Sequence, residues 1–338
     1  MNNVHAHTVA QPIRSSAVTA IATQSASSFR LGISVRDMGT LIGLVLIFSV
    51  FSALAPSFLT SHNLVNILQQ STINACIAIG MTLVILSGGI DLSVGPVAAL
   101  SAVISATLLA SGAPVWVGVL AGLAVGLACG IFNGVLIAYG GLQPFIVTLG
   151  TLSIYRAVAL IYTGGNPVLN LPASFRNWFS NTPFGIPMPV LVVIAVGSLA
   201  WTMLRKTPLG EYLYAVGGNE EAARLAGVPI AGTKIAAYAI SGTLASLAAL
   251  IVMARLGAAE PILGNLWELE AIAAAAIGGA SLLGGKGGII GTLLGAIILG
   301  GMRNGLTLLN VQAFYQLLAT GLVILLAMLV DRLTRGRN

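Results

Sequence analysis

The stretch Val115–Ala138, VWVGVLAGLAVGLACGIFNGVLIA, carries no charged side chain and is opened by Pro114. A hydrocarbon layer about 30 Å thick needs about 20 apolar residues in a helix, and a proline at a helix start loses an N–H that would have had no partner there. The stretch therefore reads as a membrane-spanning helix. Within it Gly122, Gly126, Gly130 and Gly134 recur every fourth residue. That spacing makes a smooth stripe on one helix face, and two readings fit it: close approach of a neighbouring backbone, which is favoured where no hydrophobic effect drives helices together, or the lining of a path.

The same pattern extends along the chain. Of 338 residues 57% are hydrophobic and 7% charged, far from the roughly 25% charged of an average soluble domain. Length alone would allow about two soluble domains, but apolar runs follow one another too closely for a separate domain. Ten candidate spans emerge, near 38–55, 64–86, 95–111, 115–138, 144–162, 188–204, 235–254, 267–283, 288–304 and 313–330. The expected fold is all-α: a polytopic membrane helical bundle, a single membrane domain over 38–331. Broken or re-entrant helices are expected near the glycine-rich stretches 87–95 and 283–291. Gly287, Gly291 and Gly295 form a second four-residue stripe. Residues 1–37, rich in Ser, Ala, Thr and Gln, read as a flexible cytoplasmic tail, and 332–338 as a short basic one. Ser52-Ala53-Leu54-Ala55 is similar to a signal-peptide cleavage site, but the run begins late and many spans follow, so a retained first helix is favoured.

The formal charge of +6 forms no basic stripe of the kind that binds nucleic acid. The basic residues sit at the ends of apolar runs. With the amino terminus inside, Arg14, Arg30, Arg36, Arg205, Lys206, Arg224, Lys234, Lys286, Arg332, Arg335 and Arg337 fall on the cytoplasmic side. Arg176, Arg255 and Arg303 fall outside and Arg156 within a span, a bias that places both termini in the cytoplasm.

Residues that could carry chemistry are few. Cys76 and Cys129 lie in apolar runs and read as packing residues rather than a metal or disulfide pair, and His5, His7 and His62 lie outside the runs. No metal site is expected. Gly279–Lys286 ends in a Gly-Lys pair, yet Ala280 and Gly287 stand where a nucleotide-binding loop needs glycine and Ser or Thr. Four charges lie in or near the spans: Asp91, Arg156, Glu268 and Glu270. Asp91 reads as a helix cap near the surface, with ion coupling as the alternative. Arg156 would meet a buried acid or carbonyl, or snorkel, and Glu268 and Glu270 would open a span at the outer face in reach of water.

The loop Arg205–Lys234 is the most informative. Asn219 reads as an N-cap, Glu220 and Glu221 suit the positive first turn, Ala222 to Leu225 continue a short helix, and Gly227 with Pro229 ends it. Such a helix persists only when packed against its own bundle or a partner.

Thr207-Pro208-Leu209-Gly210, Tyr214-Ala215-Val216-Gly217-Gly218-Asn219 and Ala222-Ala223-Arg224-Leu225-Ala226-Gly227 together resemble the coupling loop of sugar ABC-importer permeases of the ribose branch. Gly88–Gly95, Glu268–Ala274, Gly278–Gly288, Asn66–Gln70 and Tyr162–Val168 resemble further motifs of that branch, in order over roughly residues 40 to 331. The resemblance implies a permease subunit of the bacterial inner membrane that pairs with a second permease, usually a copy of itself. Two cytosolic ATPases, holding ATP and Mg, would engage Gly210, Tyr214, Gly217, Gly218, Asn219, Glu221, Ala222, Arg224, Leu225 and Gly227, and a periplasmic binding protein would deliver the sugar. The chain itself would bind no cofactor and make no covalent chemistry. Ribose is the first expectation, with xylose, galactose, arabinose or another small polar solute open. The alternative is an ion-coupled secondary transporter using an intramembrane acid such as Asp91.

Overall fold

A computed structural model describes residues 35–335, and among them the chain forms thirteen α-helices. These are α1 (Val35–Leu54), α2 (Ser61–Leu86), α3 (Val94–Ala110), α4 (Val115–Ala138), α5 (Pro144–Thr163), α6 (Ala173–Ser180) and α7 (Met188–Lys206). They continue as α8 (Pro208–Gly218), α9 (Glu220–Leu225), α10 (Ile230–Leu256), α11 (Trp267–Ile277), α12 (Ile289–Leu308) and α13 (Ala313–Arg335). The described residues contain no β-strand beyond an isolated antiparallel bridge between Val168 and Ala259. The expected amino-terminal tail lies outside the described residues up to position 34, and so do 336–338 of the carboxy-terminal one. α1 starts at Val35, ahead of the expected Met38, and α13 runs to Arg335.

Each expected span meets a helix. Six of these (α2, α4, α5, α7, α10 and α12) are long and apolar enough to cross a membrane, and α1, α3 and α13 hold shorter apolar segments. The stretch 267–283 needs correction: α11 ends at Ile277, 11 residues in all, about 16 Å at 1.5 Å per residue. It is a half-helix, stopped where Gly278, Gly279, Gly284, Gly285 and Gly287 crowd the following loop, four of them at positive φ. α3, with 17 residues, is also short. Both fall next to the stretches where broken helices were expected.

Two helices, α2 and α10, lie inside the bundle, and small residues set how closely the others approach them. Gly122, Gly126, Gly130 and Gly134 are all buried; the last three turn toward α10, and Gly122 lies between α10 and α3. A Cβ on Gly134 would stand 2.7 Å from Ile235 Cα, one on Gly130 2.8 Å from Tyr238 C, and one on Gly126 2.9 Å from Gly242 C. The stripe thus lets two backbones touch. Gly80 does the same for α2 against Ser241 on α10, at 2.8 Å. Polar pairs join helices across the interior, Ser101 to Ser246 at 2.6 Å, Thr82 to Thr292 at 2.7 Å, and Asn63 to Asn304 at 2.8 Å, contacts that substitute for a hydrophobic driving force in lipid. The outer surface is apolar instead, with Trp116, Ile161 and Leu199 largely exposed.

Gly130→Leu puts a branched side chain into the backbone of α10, a cost at or beyond the upper end of the roughly 1–3 kcal/mol typical of overpacking. The expected outcome is a sharp fall in monodisperse protein after detergent extraction and a lower melting temperature, with Gly150→Leu as control because nothing stands within 4 Å of a Cβ there. Unchanged assembly of Gly130→Leu would contradict the packing role.

Candidate functional site

The segment between α7 and α10 folds into two linked helices. Thr207 turns the chain out of α7, its hydroxyl donating to Met203 O at 2.7 Å, and Pro208 starts α8. This second helix was not foreseen; the signal was the proline at a first helical position followed by Leu209, Leu213 and Val216 at helical spacing. Leu213 and Val216 are buried, and a Cβ on Gly210 would stand 2.6 Å from Leu204 Cα. Asn219 then occupies the N-cap of α9, its Oδ1 accepting from Ala222 N at 2.9 Å. Gly227, at φ 81°, ends the turn, with its N–H donating to Arg224 O at 3.0 Å.

α9 is held from one side only. Ala223 is buried, and Glu220 accepts from Lys234 at 2.7 Å. Glu221 and Arg224 face outward, Arg224 pairing with Glu220 and Glu221 at 3.4 Å each. Pairs this exposed contribute little to stability, so they shape the surface rather than hold the fold. Leu225 is 82% exposed.

From the buried side, α8 reaches both irregular stretches. Gly217 lies against Leu86 O, and a Cβ there would stand 2.6 Å from Gly285 N. Gly285 N–H itself donates to Leu86 O at 3.1 Å, and a Cβ on Gly285 would stand 2.8 Å from Gly218 Cα. Tyr214 donates its hydroxyl to Gly287 O at 2.9 Å. Burial pushes the Tyr214 phenol above its ordinary value, partly offset by the Arg205 charge, so it remains a donor through neutral pH. The end of α2, the loop after α11 and α8 therefore meet at one seam. Gly287, read from the sequence as part of a helical stripe, lies before the start of α12 at φ 151°. Gly291 and Gly295 are on that helix, facing Gly278 and Ala274.

The interior charges sit differently from the sequence reading. Asp91 is 1% exposed, and the N-cap position of α3 is Ser93. Asp91 Oδ1 accepts from Ser93 N at 3.0 Å and Ser93 Oγ at 2.6 Å, and Oδ2 from Ser241 Oγ at 2.9 Å. Asn133 donates to Ser93 Oγ at 2.8 Å and Tyr155 to Asn133 Oδ1 at 3.1 Å. Helices α4, α5 and α10 thus share one polar network with the 87–93 break. Arg156 donates to Pro261 O and Leu263 O, both at 2.8 Å, so backbone carbonyls are its partners. Glu268 is buried rather than water-facing, and Glu270 forms a forked pair with Arg303. The burial arises because the chain after α10 turns inward, bringing Gly264 and Glu268 against Gly95 at the start of α3. Among the described residues no cluster of three or more His, Cys, Asp or Glu side chains could hold a metal.

A bundle of apolar helices, six of them long enough to cross a membrane, defines a multi-pass membrane protein. Residues 63–328 match the family described as branched-chain amino acid transport system / permease component, and the chain belongs to that family. It is 48% identical over 299 residues to the ribose import permease protein RbsC of Escherichia coli K12, covering 87% of this chain and 93% of that one. With the protein of the same name from Bacillus subtilis strain 168 it shares 45% identity over 303 residues, 88% of this chain and 93% of the other. The D-allose transport system permease protein AlsC of Escherichia coli K12 is 40% identical over 297 residues, 87% and 91% of the two chains.

Gly217→Val should break the seam, since the added branches meet Leu86 O and Gly285 N; loss of folded protein is expected. Tyr214→Phe removes one hydrogen bond and should cost about 1 kcal/mol. Its thermal melt in detergent should fall by a few degrees at most, and limited proteolysis should cut the 278–288 loop faster than in the parent. Equal cleavage would dismiss the bond as a loop anchor.

Proposed function

We propose that this chain is the transmembrane permease subunit of an ATP-driven importer that carries ribose across the bacterial inner membrane. The observation that carries the proposal is the α8–α9 unit, anchored by Tyr214 and Gly217 to the seam while exposing Leu225. Identity of 45–48% with ribose import permeases over nearly the whole chain supports the sugar. Ribose is preferred to allose because the allose relative is less similar, at 40%.

In this reading two cytosolic ATPases hold ATP and Mg and receive α9 in a groove, with Leu225 as the apolar contact. Their closure moves α9 and α8 as a unit. Because α8 touches both Leu86 and Gly285–Gly287, the displacement passes to the 87–93 break and to the loop that ends α11. Such elements have alternative packings, which is what alternating access needs. A second copy of the chain packs against part of the apolar outer surface and lipid covers the rest. A periplasmic binding protein delivers ribose to the face opposite α9. Arg205, Lys206, Arg224, Lys234 and Lys286 lie on the α8–α9 side, which supports a cytoplasmic position for it and for both termini. The ion-coupled alternative finds no support: Asp91 is enclosed by three hydrogen bonds from Ser93 and Ser241.

Leu225→Asp alters only an exposed side chain, and Ala223→Pro breaks α9. In a strain lacking the native permease, both should lower uptake of labelled ribose by about tenfold or more while leaving the inserted amount unchanged. ATP hydrolysis by the assembled complex should lose its response to the ribose-loaded binding protein. Wild-type uptake by Leu225→Asp would sink the coupling role, and arrest of wild-type uptake by a protonophore at constant ATP would restore the ion-coupled mechanism. A cysteine at position 215 should label from the cytoplasm and one at the exposed position 177 from the periplasm.

A further inference from the structure

We infer that the turn 281–286, between α11 and α12, is a second docking point for the cytosolic ATPase, with Leu283 as its apolar contact and Lys286 as its charged one. The inference rests on the ATP-driven importer reading and adds a partner surface beyond α9. The turn is closed on itself. Ser281 N–H donates to Lys286 O at 2.7 Å and Gly284 N–H to Ser281 O at 2.8 Å. Gly284 and Gly285 take φ of 93° and 67°, a left-handed backbone that glycine adopts without steric cost. Ser281 is buried and Leu282 packs on the core. Leu283 is left at the corner, 81% exposed.

A single exposed leucine on a surface carries no message by itself. This one stands on a turn that is pinned to the same seam as the α8–α9 unit. Gly285 N–H donates to Leu86 O, and a Cβ on Gly285 would stand 2.8 Å from Gly218 Cα. The next residues along the two chain segments are Lys286 and Asn219, the N-cap of α9. The turn and the start of α9 are therefore neighbours through backbone contact, and a body that receives α9 meets the turn beside it.

The chemistry of the turn selects its covering. The N–H groups of Leu282, Leu283 and Lys286 donate to no backbone carbonyl among the described residues, and groups of that kind do not face hydrocarbon, so lipid is unsuited. Lys286 is exposed and has no ion pair among the described residues. The same holds for Lys206 at the end of α7. A leucine beside uncompensated cations fits a protein surface with an apolar depression rimmed by carboxylates. Contact at the turn has its own mechanical use. α9 acts on the interior through α8, whereas the turn leads directly from the end of α11 into α12, so a push there moves the half-helix without a relay.

The test uses the complex of permease and ATPase subunits in lipid nanodiscs. The photoreactive residue p-benzoylphenylalanine is placed at Leu283 and, in a separate preparation, at Leu225, and adducts are identified by mass after illumination. Both positions should give a permease–ATPase adduct. An adduct at 225 with none at 283 overturns the second docking point and leaves the importer reading intact. Absence of an ATPase adduct at both positions sinks that reading and the inference with it. A permease–permease adduct at 283 assigns the turn to the second copy of the chain and also overturns the proposal. In cells, Leu283→Asp and Lys286→Glu should each lower ribose uptake by about tenfold, while Lys286→Arg, which keeps the charge, stays at the parental level. Inserted amount and melting temperature in detergent should match the parent for all three, because both side chains are exposed. Parental uptake by both Leu283→Asp and Lys286→Glu would refute the contact. A lowered melting temperature with parental uptake per inserted molecule would do the same, by making the turn a structural element only.

Discussion

Backbone groups that leave a helix inside a hydrocarbon layer must find partners within the protein, because no water is there to serve them. This protein interrupts its helices at 87–93 and again on both sides of α11, and its interior is arranged around supplying those partners. Thr148 donates to Ile90 O at 3.1 Å, Arg156 serves Pro261 O and Leu263 O, and Gly285 N–H reaches Leu86 O. Asp91 takes the free N–H and hydroxyl at the start of α3. An interior charge such as Arg156 is expensive to insert, and its role in holding two carbonyls offsets that expense. Removing any of these side chains would leave buried polar groups without partners, so the breaks and their partners stand or fall together.

Close approach is the second requirement. A side chain of donor length can reach a backbone carbonyl on another element only if the elements nearly touch, and the α4–α10 contact through Gly126, Gly130 and Gly134 provides that proximity. Asn133, one residue from Gly134, is carried by the same contact to Ser93. Packing and polar satisfaction are therefore one arrangement seen from two sides. The regular helices α4 and α10 form a stiff frame, and the irregular segments hang within it on a small number of hydrogen bonds.

That division explains how a short surface helix can matter to the interior. α8 is not attached to the stiff frame alone; Tyr214 and Gly217 bind it to the two irregular segments. Motion imposed on α9 reaches first the parts of the bundle that can change arrangement at least cost. α11, about 16 Å long, ends at Ile277 beside the first turn of α12, so a tilt at its glycine-rich end is felt at Glu268 and Glu270. The path of coupling is short and made of backbone, which transmits displacement without needing a long relay of side chains.

The sequence by itself determined the class of fold and most of its parts list, because apolar length and glycine spacing are local properties. It placed ten helices, found the stripe Gly122–Gly134, located the two irregular regions and defined the cap at Asn219, where side chain and partner lie three residues apart. What it misread depended on neighbours far along the chain. Whether Glu268 meets water is decided by the inward turn after α10, and the partner of Glu270, Arg303, lies 33 residues further on. Asp91 is enclosed because Ser241, 150 residues away, closes over it. Gly287 fell outside its helix because the backbone there is drawn to α8. Tertiary structure alone decided these, since a charge has no intrinsic depth in a membrane: its depth is set by which helices surround it and which polar groups they bring within hydrogen-bonding distance.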